Sequence, residues 1–232
     1  LAITLSHLFA RAGRRTLLFD GDIGLANVDV QLGLSAEKDL CTVFTGKMAL
    51  KDVVEYHDHV GLDIIAGRSG STRLADLPKS RLESIRSDLL ELTTTYDYTL
   101  IDIGAGIERN VQFLSMLAGR LVVVVTDEPT SLTDAYAFIK MCHTRNPTAD
   151  IRIVVNMAAS HREGEKTYHA LEKACKNFLK LSPPLLGVIR RDNKVKDAIR
   201  LQTSLIEKSP HTTAATDAAA ISIQLMKREE TG

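Results

Sequence analysis

Short apolar runs rich in β-branched residues alternate along this chain with longer stretches of helical period, and no other feature constrains the fold as much. The runs from Thr16 to Asp20, Leu62 to Ala66, Tyr98 to Asp102, Leu121 to Thr126, Ile151 to Asn156 and Leu185 to Ile189 read as strands. Helical patterns lie between and after them, at 79–93, 108–118, 131–145, 162–179, 193–201 and 213–228. Strands separated by helices need crossover connections, which lay the strands parallel and cover both faces of the sheet. The expectation is an α/β fold with a mostly parallel sheet flanked by helices. No internal repeat or low-complexity linker breaks the pattern, so 1–232 is read as one domain. Leu1, Ile3, Leu5, Leu8 and Phe9 form an amphipathic helix that closes at Gly13. A doubly wound fold ordinarily opens with a strand, so the first strand is expected to lie upstream of these residues. The loop after it, where phosphates meet a helix N-terminus, belongs upstream as well.

Composition narrows the function classes. At 232 residues and 44% hydrophobic, the chain can bury a sizeable core. Lysine plus arginine number 29 and aspartate plus glutamate 29, so no net field draws the protein to nucleic acid or anionic lipid, and direct nucleic acid binding is not expected. Cys41, Cys142 and Cys175 have no metal spacing and read as reduced thiols of a cytosolic core. No run of about 18 apolar residues is present, which excludes a membrane-spanning helix on this reading.

The chemistry sits at the strand ends. Leu17-Leu18-Phe19-Asp20-Gly21-Asp22 runs from an apolar strand into two carboxylates, and Tyr98-Thr99-Leu100-Ile101-Asp102 ends in a third, followed by Ile103-Gly104-Ala105-Gly106. The carboxyl ends of parallel strands face the crevice where ligands bind in open α/β sheets. Either motif alone also fits a solvated strand end. Together, in one sheet, they point to a shared crevice where carboxylates reach a Mg²⁺ shell and glycines admit a phosphate.

At these residues the chain resembles a known family. Asp20-Gly21-Asp22-Ile23-Gly24-Leu25-Ala26-Asn27-Val28-Asp29 is similar to the DxDxGLANxD segment of MinD/ParA-type ATPases, which are P-loop NTPases of the deviant Walker A class. Asp127-Glu128-Pro129-Thr130-Ser131-Leu132-Thr133-Asp134-Ala135-Tyr136 is similar to a segment of the flagellar regulators FlhG/FleN, the YlxH-like branch, and Asn156-Met157-Ala158 resembles their NMA turn. The resemblance spans Leu1 to about Ile206 and implies binding and hydrolysis of ATP with Mg²⁺. It makes Asp20 and Asp22 switch residues near the metal, with Asp22 positioning water and Asp102 the Walker B acid. Gly104 and Gly106 would approach the phosphate. Asn156 would read adenine, a task suited to an amide that donates and accepts together, although an Asx-turn closing the strand accounts for it too.

Gly187-Val188-Ile189-Arg190-Arg191-Asp192 matches the family's GVIPxD turn, with Asp192 beside the base and Arg190 where the family has proline. The resemblance places a Walker A loop with two lysines upstream of Leu1, so residues 1–232 alone are expected to bind ATP poorly and not to hydrolyse it, whereas the intact protein is expected to hydrolyse it. The resemblance further implies an ATP-bound homodimer and flagellar partners, either the GTPase FlhF or a transcription activator. A peripheral membrane contact is also implied, although Glu229, Glu230 and the alanine-rich tail argue against a terminal anchor. A nucleotide-free scaffold and a ParA-type partitioning ATPase are the alternative readings.

Other features have plain explanations. Ala66-Gly67-Arg68-Ser69-Gly70-Ser71 lacks a GK[ST] ending and reads as a strand-to-helix loop. His57-Asp58-His59 has no third ligand at metal spacing and reads as a solvated turn. Thr130 and Ser131 read as the start of a helix, with Asp134 as its capping-box acid.

Overall fold

A computed structural model of the chain describes residues 1–22, 26–34, 38, 40–67 and 78–227, with backbone alone at Cys41 and Lys79. The chain divides into two compact units. One comprises Leu1–Gly104, Glu108–Leu117 and Lys196–Ser209, and the other Ala105–Ile107, Ala118–Val195 and Pro210–Gly232.

In the first unit, helix α1 (Ala2–Arg11) leads into strand β1 (Thr16–Asp20). Two short helices follow, α2 (Val28–Leu32) and α3 (Leu40–Phe44), then a 3-10 turn at Leu50–Val53. The hairpin of β2 (Glu55–His57) and β3 (Leu62–Ile65), helix α4 (Lys79–Thr93), strand β4 (Tyr98–Asp102) and helix α5 (Arg109–Ser115) complete the main run. The sheet order is β2-β3-β1-β4, parallel throughout except for β2. Every residue of β1 is buried, as its unbroken apolar run requires of a central strand. Side chains alternate across it. Leu17 and Phe19 pack with Val43, Phe44, Ile85, Leu89 and Leu114, while Leu18 points the other way among Val28, Leu32, Ile64 and the underside of α1. Each such side chain contributes about 2–3 kcal/mol by leaving water. Phe9 of α1 stacks on Tyr98 at a centroid distance of 4.5 Å, and the chain turns out of α1 at Gly13, where φ is +74°.

The second unit alternates β5 (Arg120–Val125), α6 (Pro129–Arg145), β6 (Asp150–Ala158), α7 (His161–Leu179) and β7 (Leu185–Arg190). Helices α8 (Asn193–Arg200), α9 (Leu205–Lys208) and α10 (Thr213–Met226) follow in the chain. The order β5-β6-β7 is parallel. Leu121, Val123, Val125, Ile153 and Val155 pack against Ile139 of α6 and Leu171 and Cys175 of α7. The alanine-rich tail forms α10, which buries Ala214, Ala215, Ala218 and Ile221. Cys142 and Cys175 are buried thiols, and burial pushes Cys175 up. No helix among the described residues is long and apolar enough to cross a membrane.

The strands read from sequence appear within about two residues of their expected ends, and helices cover them. They pair as two separate ladders, a division that no local pattern marks. Strand β2 was not anticipated: it has three residues, and its apolar member, Tyr56, is 62% exposed, so it carries no alternation. The capping-box reading of Thr130, Ser131 and Asp134 is corrected. Pro129 starts α6 two residues earlier, being suited to a first helical position, and the Ser131 hydroxyl instead accepts from the Thr126 amide at 3.0 Å.

In α7 a Cβ on Gly164 would lie 2.3 Å from Cγ1 of Val188 on β7, so the helix meets the sheet only because that position lacks a side chain. Gly164→Ala should therefore destabilise the protein by about 1–3 kcal/mol from overpacking, despite a gain of up to about 1 kcal/mol in helix propensity. Urea unfolding measures it, and an unchanged midpoint would mean that Val188 turns aside at no cost.

Candidate functional site

Parallel pairing in register brings the ends of two strands together. Thr16 to Asp20 of β1 lie beside Tyr98 to Asp102 of β4, so that Asp20 and Asp102 are direct neighbours, and the Gly21 amide donates to the Asp102 carbonyl at 2.7 Å. Asp20 is only 1% exposed. Its carboxylate accepts from the backbone amides of Asp22 (3.3 Å), Asn27 (3.1 Å) and Val28 (3.1 Å), which ties the start of α2 to the strand end. Those bonds do not offset the burial and the nearby Asp102 charge, and the Asp20 carboxyl is pushed up to about 6. Asp102 is raised too, by burial and by the charge of Asp22.

Glycines make room for these acids. A Cβ on Gly104 would stand 2.9 Å from both carboxylate oxygens of Asp22, so the Asp22 side chain lies directly over that backbone. One on Gly21 would meet Leu114 at 2.7 Å and the Asp102 carbonyl at 2.9 Å, and one on Gly67 would meet Ala26 at 2.5 Å. In the sequence Gly67 reads as part of a plain loop; its close approach to Ala26 arises only when the chain folds back. Arg68 to Ser71 and Ile23 to Leu25 lie outside the described residues.

The second unit holds the remaining candidates. Gly106 has φ +113°, a conformation open to glycine and strained for other residues. Asn156 is half-buried near the end of β6, where the ladder slips. Val155 pairs with Val188 and Ala158 with Arg190, so three residues on β6 advance against two on β7. The extra residue is a β-bulge, and Met157 within it takes φ +58°. Asp192, past β7, is largely spoken for. Its carboxylate accepts from the Lys194 amide (2.9 Å), the Thr213 hydroxyl (3.0 Å) and the Ala214 amide (3.2 Å). Burial works against its charge, but these donors hold its carboxyl below the usual range. His57 ends β2, and no His, Cys, Asp and Glu cluster among the described residues could hold a metal by protein ligands alone.

A family model, the CobQ/CobB/MinD/ParA nucleotide binding domain, matches residues 1–205. The chain belongs to that family. It is 33% identical over 215 residues to the antiactivator FleN of Pseudomonas aeruginosa, covering 93% of this chain and 76% of the relative. It is 29% identical over 233 residues to the flagellum site-determining protein YlxH of Helicobacter pylori, covering 100% and 78%. The septum site-determining protein MinD from Pyrococcus horikoshii, solved in complex with Mg-ADP, superposes with a TM-score of 0.78 at 20% identity over 97% of this chain and 89% of that one. In a nucleotide-binding domain, buried carboxylates with unrelieved negative charge suit a cation that keeps phosphate and water ligands. Mg²⁺ is bound in that way through one or two carboxylates.

The raised acids have a consequence for stability. A carboxyl lifted on folding favours the folded state below its unfolded value, near 3.8, and that contribution is lost as pH rises through about 6. The loss amounts to up to about 3 kcal/mol for a two-unit shift. Nucleotide-free wild type should thus lose thermal stability relative to Asp20→Asn between about pH 4 and pH 7, and added Mg²⁺ should reduce the loss. Comparison with the variant cancels the buried His7 and the half-buried His57, whose lowered values act in the opposite sense. Parallel melting curves for the two proteins across this window would mean that the Asp20 charge is fully compensated.

Proposed function

We propose that this protein is an ATPase whose nucleotide state controls dimerisation and, through it, flagellar number or placement and flagellar gene expression. The observation that carries the reading is the in-register pairing of Asp20 with Asp102, with Asp22 held over Gly104, in a chain of a nucleotide-binding family. The names of the similar proteins FleN and YlxH support the flagellar assignment. On this reading residues 1–232 act as one nucleotide-binding domain, consistent with a family match that spans sequence from both compact units.

When bound, Mg²⁺ neutralises phosphate charge. Asp102 and Asp20 would hold it from adjacent strand ends, and the bare backbone at Gly104 and Gly106 would let the phosphates approach. Asp22 orients the attacking water, its partly buried carboxylate lying over the bare backbone at Gly104. Asn156 reads the base edge, and Asp192 shapes the turn beside it. Loss of the γ-phosphate releases the Asp22 segment and with it the dimer. The partners are then FlhF or a flagellar transcription activator, met in the cytoplasm, with any membrane contact peripheral and no direct contact with nucleic acid. A scaffold without nucleotide has no use for buried acids that cost stability at neutral pH, which favours the ATPase.

Asp22→Ala in the full-length protein is the test. Turnover should fall by about 10² to 10⁴, the usual cost of losing a positioning group, while MgATP-dependent dimerisation in sedimentation analysis persists. Unchanged turnover would move water positioning to another residue.

A further inference from the structure

One face of α10 is joined to β7 and the turn after it at three successive helical turns. Ile221 packs where a Cβ on Gly187 would come within 2.7 Å, Asp217 meets Arg190, and Thr213 meets Asp192. The spacing 213, 217, 221 puts these residues on one stripe of the helix, running antiparallel to the strand. The middle contact is the strongest. Asp217 is buried at 6% exposure and accepts three bonds from Arg190: from the backbone amide at 3.0 Å, from Nε at 2.9 Å and from Nη2 at 2.9 Å. His161 Nε2, at the start of α7, lies 3.4 Å from the same carboxylate. This is a two-pronged guanidinium–carboxylate pair with the main-chain amide added, a geometry that fixes direction as well as distance.

What the pair fixes is the end of β7. Arg190 is the register partner of Ala158, and the Arg191 amide donates to the Ala158 carbonyl at 2.8 Å. Ala158 immediately follows the bulge that carries Asn156 and Met157. A bulge with a non-glycine residue at φ +58° persists only where its surroundings hold it, and on the β7 side those surroundings are Arg190 and Arg191. Asp192 adds a second tie by accepting from the first turn of α10.

We infer that Arg190 and Asp217 are positioning residues for base recognition. Their ion pair, anchored in α10, holds the end of β7 and thereby the bulge that presents Asn156 to the nucleotide base. The inference rests on the reading of Asn156 as the base-recognising residue. It gives Arg190 a function that proline could not perform, since proline has neither the amide hydrogen nor the fork.

The test compares binding of MgATP with binding of magnesium tripolyphosphate, which has no base, to the full-length protein. Wild type, Asn156→Ala, Asp217→Asn and Arg190→Lys are titrated with each; the lysine keeps the charge and loses the fork. Asp217→Asn and Arg190→Lys should each weaken ATP by about tenfold, the cost of a broken charge-assisted contact, with tripolyphosphate affinity unchanged. Should Asp217→Asn fail to fold, Arg190→Lys decides alone. Three results would overturn the inference. ATP affinity could survive in both pair variants while Asn156→Ala loses its preference for ATP, which leaves the base-site reading intact. Both ligands could weaken together, which marks general structural damage. Asn156→Ala could keep the wild-type ratio of the two affinities, which removes the base-site reading as well.

Discussion

The structure depends on a pairing that is unfavourable where it matters most. Strands β1 and β4 lie in parallel register because their apolar residues fill the core on both faces, and that register sets Asp20 beside Asp102. Packing of Leu17, Leu18, Phe19 and their neighbours supplies the free energy, and the strand ends absorb the cost of a buried carboxylate at Asp20 beside a half-buried one at Asp102. Three backbone amides reach Asp20 and do not neutralise it. Glycines follow from the same crowding: at 21, 67 and 104 a side chain would strike a carboxylate, a carbonyl or a facing methyl.

The two units handle acids in opposite ways. In the second, each notable carboxylate has its donors. Asp150 lies between Arg120 at 2.6 Å and Arg152 at 2.8 Å, Asp217 holds Arg190, and Asp192 collects amides and a hydroxyl. Burial opposes the charge in all three, and the donors outweigh it and hold these carboxyls below their ordinary range. In the first unit the shift runs the other way, at Asp20 and Asp102. Acids satisfied by the protein serve its architecture. On the proposed reading, the acids left wanting are the ones that meet the cation, because an external charge can supply what the chain withholds.

Much of this was legible before the fold was known. The strand ends at Asp20 and Asp102 follow from where an apolar run stops, since a buried strand ends where burial ceases to be favourable, and the helices follow from their period. Asn156 could be placed at a strand end from local pattern, and Arg190 marked as a departure from the resemblance to the family's turn. The short strand β2 escaped because a three-residue edge strand with an exposed tyrosine carries no periodic signal.

Sequence by itself thus determined the order of the longer strands and helices, the acids at the strand ends and the family to which they belong, because each is written in contiguous residues; the short elements α2, α3, β2 and α9 were not read from it. Tertiary structure alone decided which acids are compensated. Asp217 in an alanine-rich helix has no local mark of importance, and it becomes the anchor of β7 only when Arg190 arrives from a residue 27 positions away in the chain. The bulge at Met157 likewise arises from a mismatch between two strands and exists in neither of them separately. Hydrogen bonds and charge compensation are properties of pairs, and folding chooses the pairs.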